Sequence, residues 1–537
     1  MRLIENTSKE KLRGGFYTPA PIAEFILRWG INGATDYDIL EPSCGDGVFL
    51  EQLRDNDFKY NSVTAIELDE SEAQKADNVH LPHASVLNTD FHVYCNESLQ
   101  KFDLIIGNPP YIRYQYFDEQ QQEEAKKIFV KAFLKYSKLT NAWVSFVVGS
   151  SLLLKDRGKI GFVIPAELLQ VSYAKQLRSF LSHYFNKINI VSFQRLVFPD
   201  IQQEVVLLLC EKNLSGTHAI EHIELTDASA LREVDLYKLK NPTKKIDNRS
   251  NKWTFYFLDQ KEIDFLEEVS NNLQIPRLGD FADVEVGITT GSNEFFTVSR
   301  TTVDKYELHK FAYPLVGRSV QVNSTIFTRK DWERNENANV RSYLLIFPPK
   351  TKLQNDKRVI EYLSHGEKLQ INKGYKTGIR DEWQIVPSLW VSDCLFIRRN
   401  NIFPKLILNE AKVYTTDTMH RVKIKSGINV HSLIASYYNS LSFAFGEISG
   451  RSYGGGVLEL MPSEVEKIVL PYSENKELFY EIDSMFRKGI DIENILEYTD
   501  SMILRDRFGF STQEIKLANS IWKKLSQRRL HRGHFSK

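Results

Sequence analysis

Cysteine is scarce in this sequence, and its spacing excludes two kinds of small structural module. The chain has four cysteines among its 537 residues, and Cys44, Cys95, Cys210 and Cys394 are scattered along its length. No CxxC pair occurs, although such pairs mark many zinc sites and redox motifs. The sequence therefore predicts neither a structural zinc site nor a disulfide framework.

Long apolar runs are missing as well. No run approaches the length of about 20 residues that a bilayer-spanning helix needs. The N-terminal stretch MRLIENTSKEKLRGG lacks the apolar core of a secretory signal. Charge of one sign does not dominate either, since 69 Lys and Arg balance 69 Asp and Glu. We therefore expect a cytoplasmic protein with no membrane partner.

The length and composition predict several domains. With 537 residues, of which 42% are hydrophobic and 26% charged, the chain exceeds the size that one core usually serves. The polar stretch KNPTKKIDNRSNK (240–252) has the composition of a linker. We expect a catalytic domain over 1–240, a second domain over 253–475 and a helical, basic C-terminal extension over 476–537.

The segment FYTPAPIAEFILRWG (16–30) predicts a turn and then an amphipathic helix. YDILEPSCGDGVFLEQL predicts a strand, a glycine-containing loop and a helix, and SVTAIELD predicts a second strand ending on Glu67. Such a βαβ unit binds nucleotides at the carboxyl ends of its strands. An acidic residue at the end of the second strand can accept both hydroxyls of a ribose. Gly45 and Gly47 allow the backbone to approach a ligand closely. On this segment alone, glycines that serve only turn geometry remain an open alternative.

The same loop favours a cationic ligand over a dinucleotide. It reads EPSCGDG rather than GxGxxG, whereas a pyrophosphate needs a glycine-rich helix N-terminus. Glu41 and Asp46 place negative charge in this loop, which would repel phosphate. S-adenosylmethionine carries an adenosine, an amino acid and a sulfonium but no phosphate. The loop therefore suits S-adenosylmethionine.

The stretch FDLIIGNPPY places a polar residue just beyond the end of another buried strand. Asn108 is expected on the same sheet edge as the glycine loop and Glu67. Pro109 and Pro110 fix φ and remove two N–H donors, so the segment is stiff and its carbonyls can face outward. One amide oxygen and one backbone carbonyl can then bind a planar NH₂ group, and Tyr111 offers a face on which a base can stack.

Together these segments resemble the gamma-class adenine-N6 DNA methyltransferases of restriction–modification systems. The resemblance is carried by FYTP (16–19), ILEPSCGDGVFL (39–50), IELD (66–69), TDF (89–91), FDLIIGNPPY (102–111), GKIGFVIP (158–165) and VFP (197–199). It implies a Rossmann-like α/β domain that uses S-adenosylmethionine, followed by an α+β target-recognition domain. Asp46 departs from the family, which often has a small residue at this loop position.

The resemblance also assigns the cofactor site. It implies that Glu67 holds the ribose, that Asp90 binds the amino group of the cofactor's adenine, and that Phe91 packs against that ring. Thr18 and Pro19 would cover the methionine end. The loop residues expected to line the cofactor are Glu41, Pro42, Ser43, Cys44, Gly45 and Gly47. No metal is expected.

For the target base, the resemblance implies a second set of roles. Asn108 and the Pro109 carbonyl would hold the amine, with Pro110 completing the rigid motif, and Tyr111 and Phe198 would sandwich a flipped adenine. The implied function is site-specific adenine-N6 methylation of double-stranded DNA by a monomer. A separate cognate restriction endonuclease is left open as a partner, because no nuclease domain is recognised in the chain.

Other functions stay open at this point. Glutamine methyltransferases acting on proteins and adenine methyltransferases acting on RNA share the NPPY motif. A third alternative is a non-catalytic DNA-specificity subunit with a degenerate methylase domain. The intact NPPY motif and Glu67 argue against such degeneration.

The second half of the chain resembles target-recognition domains more weakly. The segments GITTGSNEFF and TDTMHR carry this resemblance. VEVGITTGSNEFFTV (284–298), YPLVGRSV and ISGRSYGGGVLEL predict strands. For the C-terminal stretch KKLSQRRLHRGHFSK, contact with phosphates and a solvated terminus both stay open. Residues considered for contacts to phosphates or base edges are Arg318, Lys373, Lys376, Arg380, Arg451 and Tyr453.

Overall fold

Two compact units divide the chain. The computed structural model describes residues 17–138, 140–195, 197–198, 204–213, 218–239, 243–245, 252–272, 274–353, 356–453 and 455–534. The first unit comprises Met1–Ile263 with His531–Lys537, and the second comprises Asp264–Leu530. Phe16 and Pro199, which belong to two of the sequence motifs, lie outside the described residues.

A nine-stranded sheet forms the centre of the first unit, in the order β3-β2-β1-β4-β5-β7-β6-β8-β9. The first five strands in that order are parallel, whereas β7 runs antiparallel to both neighbours. The strands are β1 Asp38–Glu41, β2 Ser62–Glu67, β3 Ala84–Asn88, β4 Phe102–Gly107, β5 Leu154–Pro165, β6 Lys187–Phe193, β7 Val205–Glu211, β8 Ala219–Leu225 and β9 Lys244–Lys245. This sheet confirms the predicted Rossmann-like α/β class.

Helices flank this sheet. The helices are α1 Ala20–Ile31, α2 Val48–Asp55, α3 Glu70–Asp77, α4 Phe91–Glu97, α5 Glu119–Lys131, α6 Ala142–Leu152, α7 Glu167–Gln170 and α8 Lys175–Tyr184. The amphipathic helix predicted after FYTP is α1, where Pro21 lies in the first turn and Ile22, Phe25, Ile26 and Trp29 are buried. Proline suits this position because the first N–H groups of a helix have no intrahelical partner.

Part of the expected linker belongs to the sheet of the first unit. Strand β9 pairs antiparallel with β8, and the buried Lys244 ammonium donates a hydrogen bond to the Tyr256 carbonyl at 2.6 Å. Residues 240–242 and 246–251 of that stretch lie outside the described residues. The boundary between the units therefore falls later than the sequence suggested, between Ile263 and Asp264.

Three smaller sheets, mostly antiparallel, form the second unit, as expected for an α+β domain. Their orders are β10-β18-β14-β16, β11-β13-β12-β17 and β15-β20-β19. The strands are β10 Ala282–Val286, β11 Thr297–Val298, β12 Ala312–Val316, β13 Tyr343–Leu345, β14 Cys394–Ile397, β15 Arg399–Asn400, β16 Leu406–Leu408, β17 Tyr414–Thr415, β18 Met419–Ile424, β19 Arg451–Tyr453 and β20 Val457–Glu459.

The remaining helices include one departure from the sequence reading, since Asn293–Phe296, within a segment read as strands, is helical. They are α9 Gln260–Asn271, α10 Leu278–Phe281, α11 Asn293–Phe296, α12 Arg300–Lys305, α13 Arg329–Asn337, α14 Lys357–Lys368, α15 Tyr375–Gly378, α16 Val430–Tyr437, α17 Ser440–Ser449, α18 Pro462–Val465, α19 Lys476–Arg487, α20 Ile492–Asp500 and α21 Thr512–His534. Among the helices of the described ranges, none has the length and apolarity that crossing a bilayer requires.

The C-terminal helices belong to the second unit as far as Leu530. Arg487 of α19 forms ion pairs with Asp483 at 2.6 Å and with Asp331 of α13 at 3.1 Å. Arg529 of α21 is 2% exposed and forms an ion pair with the buried Glu447 at 2.6 Å. Arg529 therefore has a structural partner and is not available to contact phosphates.

Replacing Arg529 with Met should strongly destabilise the second unit. The substitution leaves the Glu447 carboxylate buried without its cation, which costs about 3–5 kcal/mol for a broken buried pair. Burial already raises the pKa of Glu447, although Arg529 opposes that shift. The check is urea unfolding of Arg529→Met beside Arg505→Met, whose exposed partner Asp506 lies at 2.9 Å. Equal stability of the two variants would show that the buried pair contributes little.

Candidate active site

Loops that follow four parallel strands enclose a cavity at one edge of the first unit's sheet. Strand β1 ends at Glu41, β2 at Glu67, β3 at Asn88 and β4 at Gly107. The cavity has a volume of about 440 Å³. The lining residues that the sequence had singled out for the site are Thr18, Glu41, Pro42, Ser43, Cys44, Gly45, Glu67, Asp90, Phe91, Asn108 and Pro110.

The glycine loop is tied to the end of β2 through the backbone. The Cys44 N–H donates to the Ile66 carbonyl at 2.9 Å. The Gly45 N–H donates to Glu67 Oε2 and the Asp69 N–H to Glu67 Oε1, both at 2.9 Å. Burial raises the pKa of Glu67, while these N–H donors oppose the shift. The carboxylate is thus held in one orientation and keeps lone pairs for further donors, such as ribose hydroxyls.

Glu41 is a buried carboxylate beside the same cavity. It is 2% exposed, and its Oε2 atom has no hydrogen-bond partner among the described residues. Burial first, and then the charges of Glu67 and Asp46, raise its pKa well above the ordinary value. A buried oxygen of this kind is costly unless a donor satisfies it. The arrangement therefore suits a ligand that brings a positively charged donor.

The two glycines of the loop have different roles. Gly45 lines the cavity at φ +53°, and a Cβ there would meet no atom within 4 Å. A side chain at this position would therefore extend into open space beside the cavity. Gly47 does not line the cavity. At φ +96°, a Cβ on Gly47 would lie only 2.9 Å from the Cα of Ala76 in α3, so Gly47 serves helix packing.

Asp90 and Phe91 form another wall of the cavity. Burial alone would raise the pKa of Asp90, but hydrogen bonds and charge from His92, with a bond from Gln121, bring it below its ordinary value. His92 Nδ1 lies 3.0 Å from Asp90 Oδ1, and Gln121 donates to Oδ2 at 3.2 Å. The Phe91 ring stacks on Phe146 with centroids 4.7 Å apart. This wall is aromatic and carries a fixed carboxylate, which suits an amino-substituted ring.

Asn108 is held at the cavity by two neighbours. The Ser43 hydroxyl donates to the Asn108 carbonyl at 3.3 Å, which joins the NPPY segment to the glycine loop. The Tyr111 hydroxyl lies 2.6 Å from Asn108 Oδ1 and 3.0 Å from the Val163 carbonyl. Burial raises the pKa of Tyr111 well above its ordinary value, so its hydroxyl stays protonated and donates.

Five of the expected site residues do not line the cavity. Pro109 is buried, and Tyr111 packs against the apolar cluster that contains Phe198, which is 7% exposed. The stacking of Tyr111 and Phe198 on a base stays a prediction. The five residues are Pro19, Gly47, Pro109, Tyr111 and Phe198.

Several lining residues were not identified from the sequence. Seven of them lie within the recognised motifs FYTP, ILEPSCGDGVFL, IELD and TDF, and Ile112 directly follows NPPY, so the motifs could have suggested them. The others come from segments that carry no motif of their own or are brought in by folding. The additional lining residues are Tyr17, Asp46, Val48, Phe49, Leu68, Asp69, Glu72, Thr89, His92, Ile112, Tyr116, Phe117, Gln121 and Phe146.

The charge of the cavity has one sign. Six carboxylates line it, and no Lys or Arg is among its described lining residues; the six are Glu41, Asp46, Glu67, Asp69, Glu72 and Asp90. A field of this sign attracts cations and repels phosphates.

Two protein families match the two halves of the chain. The Eco57I restriction-modification methylase family matches residues 45–198, and the C-terminal domain of the Type II methyltransferase M.Eco57I matches residues 250–504. The chain belongs to the Eco57I-type restriction–modification methyltransferases. The gamma-class order of motifs, with the cofactor loop before NPPY and the second domain last, is thereby confirmed.

The names of individual relatives are consistent with this family. Type II methyltransferase M.AccI of Acinetobacter calcoaceticus is 26% identical over 475 residues, which cover 84% of each chain. M.HindII of Haemophilus influenzae is 25% identical over 324 residues, which cover 56% of this chain and 58% of M.HindII. The cryo-EM structure of the DrdV–DNA complex has a similar fold, with a TM-score of 0.52 and 12% identity over 90% of this chain and 57% of that one.

This methyltransferase uses S-adenosylmethionine as its methyl donor, and the cavity fits that molecule. The Glu41 oxygen without a partner among the described residues and the six lining carboxylates suit its sulfonium and ammonium charges. Glu67 would hold the ribose hydroxyls. Asp90 and Phe91 would hold the adenine, beside Phe146, which the sequence did not indicate.

Replacing Glu41 with Gln should weaken S-adenosylmethionine binding by roughly 10- to 100-fold, since a charge-assisted hydrogen bond contributes about 1.5–3 kcal/mol. In the wild type, affinity should fall as the pH is lowered through the raised pKa of Glu41, because its carboxylate then takes up a proton. The variant should lose much of this pH dependence. Isothermal titration calorimetry at several pH values measures both effects.

The control for this test is Glu97→Gln, an exposed residue of α4 that does not line the cavity. The melting temperature of unliganded Glu41→Gln should rise, because a carboxyl group with a raised folded-state pKa destabilises the fold once it ionises. Unchanged affinity in a correctly folded Glu41→Gln variant would contradict the assigned role of this carboxylate.

Proposed function

We propose that this chain is a site-specific DNA adenine-N6 methyltransferase, the modification enzyme of a restriction–modification system. The observation that carries the proposal is the position of Asn108. Asn108 lines the same cavity as the cofactor loop, and Ser43 of that loop bonds its carbonyl. An amide oxygen fixed beside the methyl donor's site is placed to bind a planar exocyclic amine. The Type II methyltransferase names of the relatives support DNA as the substrate.

In this reaction the protein chiefly orients the adenine amine toward the methyl group. The lone pair of the adenine N6 atom is conjugated with the ring and is therefore a poor nucleophile. Asn108 Oδ1 and the Pro109 carbonyl would accept both amine hydrogens, which directs the lone pair out of the ring plane. S-adenosylmethionine supplies a methyl group already activated as a sulfonium. The new N–C bond forms as the S–C bond breaks, and the nitrogen then releases a proton to water, so no general base is needed before attack.

A base within a duplex cannot reach such a cavity, so the target adenine must leave the helix. Extrusion costs a few kcal/mol of stacking and pairing. An aromatic ring that stacks on the base would offset about 1–3 kcal/mol of this cost. Tyr111 and Phe198 are the proposed stacking partners. Tyr111 would have a second task, since its hydroxyl holds the Asn108 amide oxygen at 2.6 Å.

Asn108→Ala should nearly abolish methyl transfer and leave S-adenosylmethionine affinity largely intact, because the amide contacts the amine and not the cofactor's charged groups. The measurement is single-turnover methylation with a calorimetric cofactor titration. The matched control is Asn61→Ala, since Asn61 is exposed and precedes the amino end of β2, at the opposite edge of the sheet. Near-wild-type transfer by Asn108→Ala would refute the amine-binding role.

Tyr111→Phe and Tyr111→Ala should separate the two proposed tasks of this residue. Phe keeps the ring but loses the bond to Asn108, worth about 1 kcal/mol, so kcat should fall roughly 5- to 10-fold. Fluorescence of 2-aminopurine at the target position should be unchanged in this variant. Ala removes the ring as well and should also weaken the fluorescence signal of base capture. A Phe variant with wild-type kcat would exclude the hydroxyl role.

The function as a whole is tested in a host that lacks DNA methylation. Modification-sensitive single-molecule sequencing compares the wild type with Asn108→Ala. The proposal expects N6-methyladenine at one sequence motif in the first strain and none in the second. A DNA mark on cytosine, or no DNA mark from a protein that binds S-adenosylmethionine and methylates RNA or protein, would overturn it.

A further inference from the structure

Three sequence motifs of the second unit meet at one surface cleft. The loop after β12, the segment before β18 and the helix α11 line it, and its volume is about 460 Å³. We call it the two-arginine cleft. Its lining residues are Asn293, Thr297, Gly317, Arg318, Val320, Gln321, Asn339, Val340, Arg341, Thr416 and Thr418.

Hydrogen bonds fix the frame of this cleft. Asn293 donates to Asp417 Oδ1 at 3.0 Å, which joins the GITTGSNEFF and TDTMHR motifs. The Thr418 hydroxyl donates to the Gly317 carbonyl at 2.7 Å, which joins the TDTMHR and YPLVGRSV motifs. Thr290 donates to Asn293 Oδ1 at 2.7 Å. The three motifs are therefore parts of one built surface.

The two arginines of the cleft differ from others in the same unit. Arg318 and Arg341 are exposed and form no ion pair within the described ranges, whereas Arg399 and Arg451 pair with Glu459 and Glu464. No Asp or Glu is among the described residues that line the cleft. Two guanidinium groups without a carboxylate between them make a site for an anion.

Arg380, another residue considered for DNA contacts, is used differently. Its guanidinium donates to the carbonyls of Thr289 and Thr290 at 3.1 and 2.9 Å. It therefore supports the loop that carries Asn293.

We propose that the two-arginine cleft binds the sugar–phosphate backbone of duplex DNA, with Arg318 and Arg341 each contacting a phosphate. The proposal rests on DNA being the substrate of this methyltransferase. The lining contains hydroxyl and amide groups that can bond phosphate oxygens, and Val320, 79% exposed, can contact a deoxyribose. No aromatic ring lines the described cleft on which a base could stack, which favours the backbone over an extruded base or a free nucleotide.

The test measures binding of a fluorescein-labelled DNA duplex to the full chain by fluorescence anisotropy over a range of salt concentrations. Each phosphate contact contributes a slope of about −0.9 to log K against log salt. Arg318→Gln and Arg341→Gln should each lower the magnitude of that slope by about 0.9, and the double variant by about twice as much. The loss of affinity should be equal for two duplexes of different sequence.

Two sets of controls accompany these variants. Arg507→Gln removes an exposed arginine of the same unit that lies outside the cleft, and its slope should match the wild type. Arg318→Lys and Arg341→Lys keep the charge and should largely keep the slope. Circular dichroism and cofactor titration confirm that each variant is folded.

The outcomes separate this proposal from the proposed function. If the Arg318→Gln, Arg341→Gln double variant has the wild-type salt slope and still methylates DNA, the cleft does not bind the DNA backbone. The proposed function would be unaffected by that result. A loss confined to one of the two duplexes would overturn the phosphate assignment in favour of base contacts. If the wild type methylates no DNA in the sequencing experiment, that result contradicts the proposed function itself.

Discussion

Parallel pairing of β1 with both β2 and β4 is the constraint on which the rest of this site depends. It brings the ends of three strands, at Glu41, Glu67 and Gly107, to one edge of the sheet. The backbone of the glycine loop then bonds Glu67, and Ser43 bonds the NPPY segment. The groups proposed to bind the cofactor and the target therefore share one frame, and a shift in strand register would separate them.

The same convergence concentrates negative charge in a partly buried space. Burial, together with the charge of neighbouring carboxylates, raises the pKa values of Glu41, Asp46 and Glu67. Without a ligand these groups cost folding free energy when they ionise, because burial disfavours the charged form of each. A bound cation offsets both the cost of burying these charges and the repulsion from neighbouring carboxylates. Relief of this cost on binding thus contributes part of the binding free energy of S-adenosylmethionine.

Much of the frame could be predicted from the sequence, because turn chemistry and buried strands are local features. The strand that enters the glycine loop, the strand end at Glu67 and the amphipathic helix α1 were predicted in this way. Gly47 shows where local reasoning ends. Its role depends on Ala76, a contact made by tertiary packing, so a motif could not distinguish it from Gly45.

Long-range partners explain the remaining differences. Arg529 looks like part of a basic tail in the sequence, and only folding reveals Glu447 beside it, 82 residues away. Phe146 and Gln121 carry no motif, yet they complete the wall around Phe91 and Asp90. In each case the sequence supplies the residue type, but the partner that decides its role is distant along the chain.

The signs of the two charged sites also bear on selectivity. Under the proposed function, DNA brings neutral bases and negatively charged phosphates to one protein. The acidic cavity repels phosphate but not an extruded adenine, so the base can enter while its backbone stays out. The two-arginine cleft offers the phosphates a favourable site elsewhere. The formal net charge of the chain is zero, but its acidic and basic residues are concentrated at different sites. It can therefore accept the base at one site and the phosphates of DNA at the other.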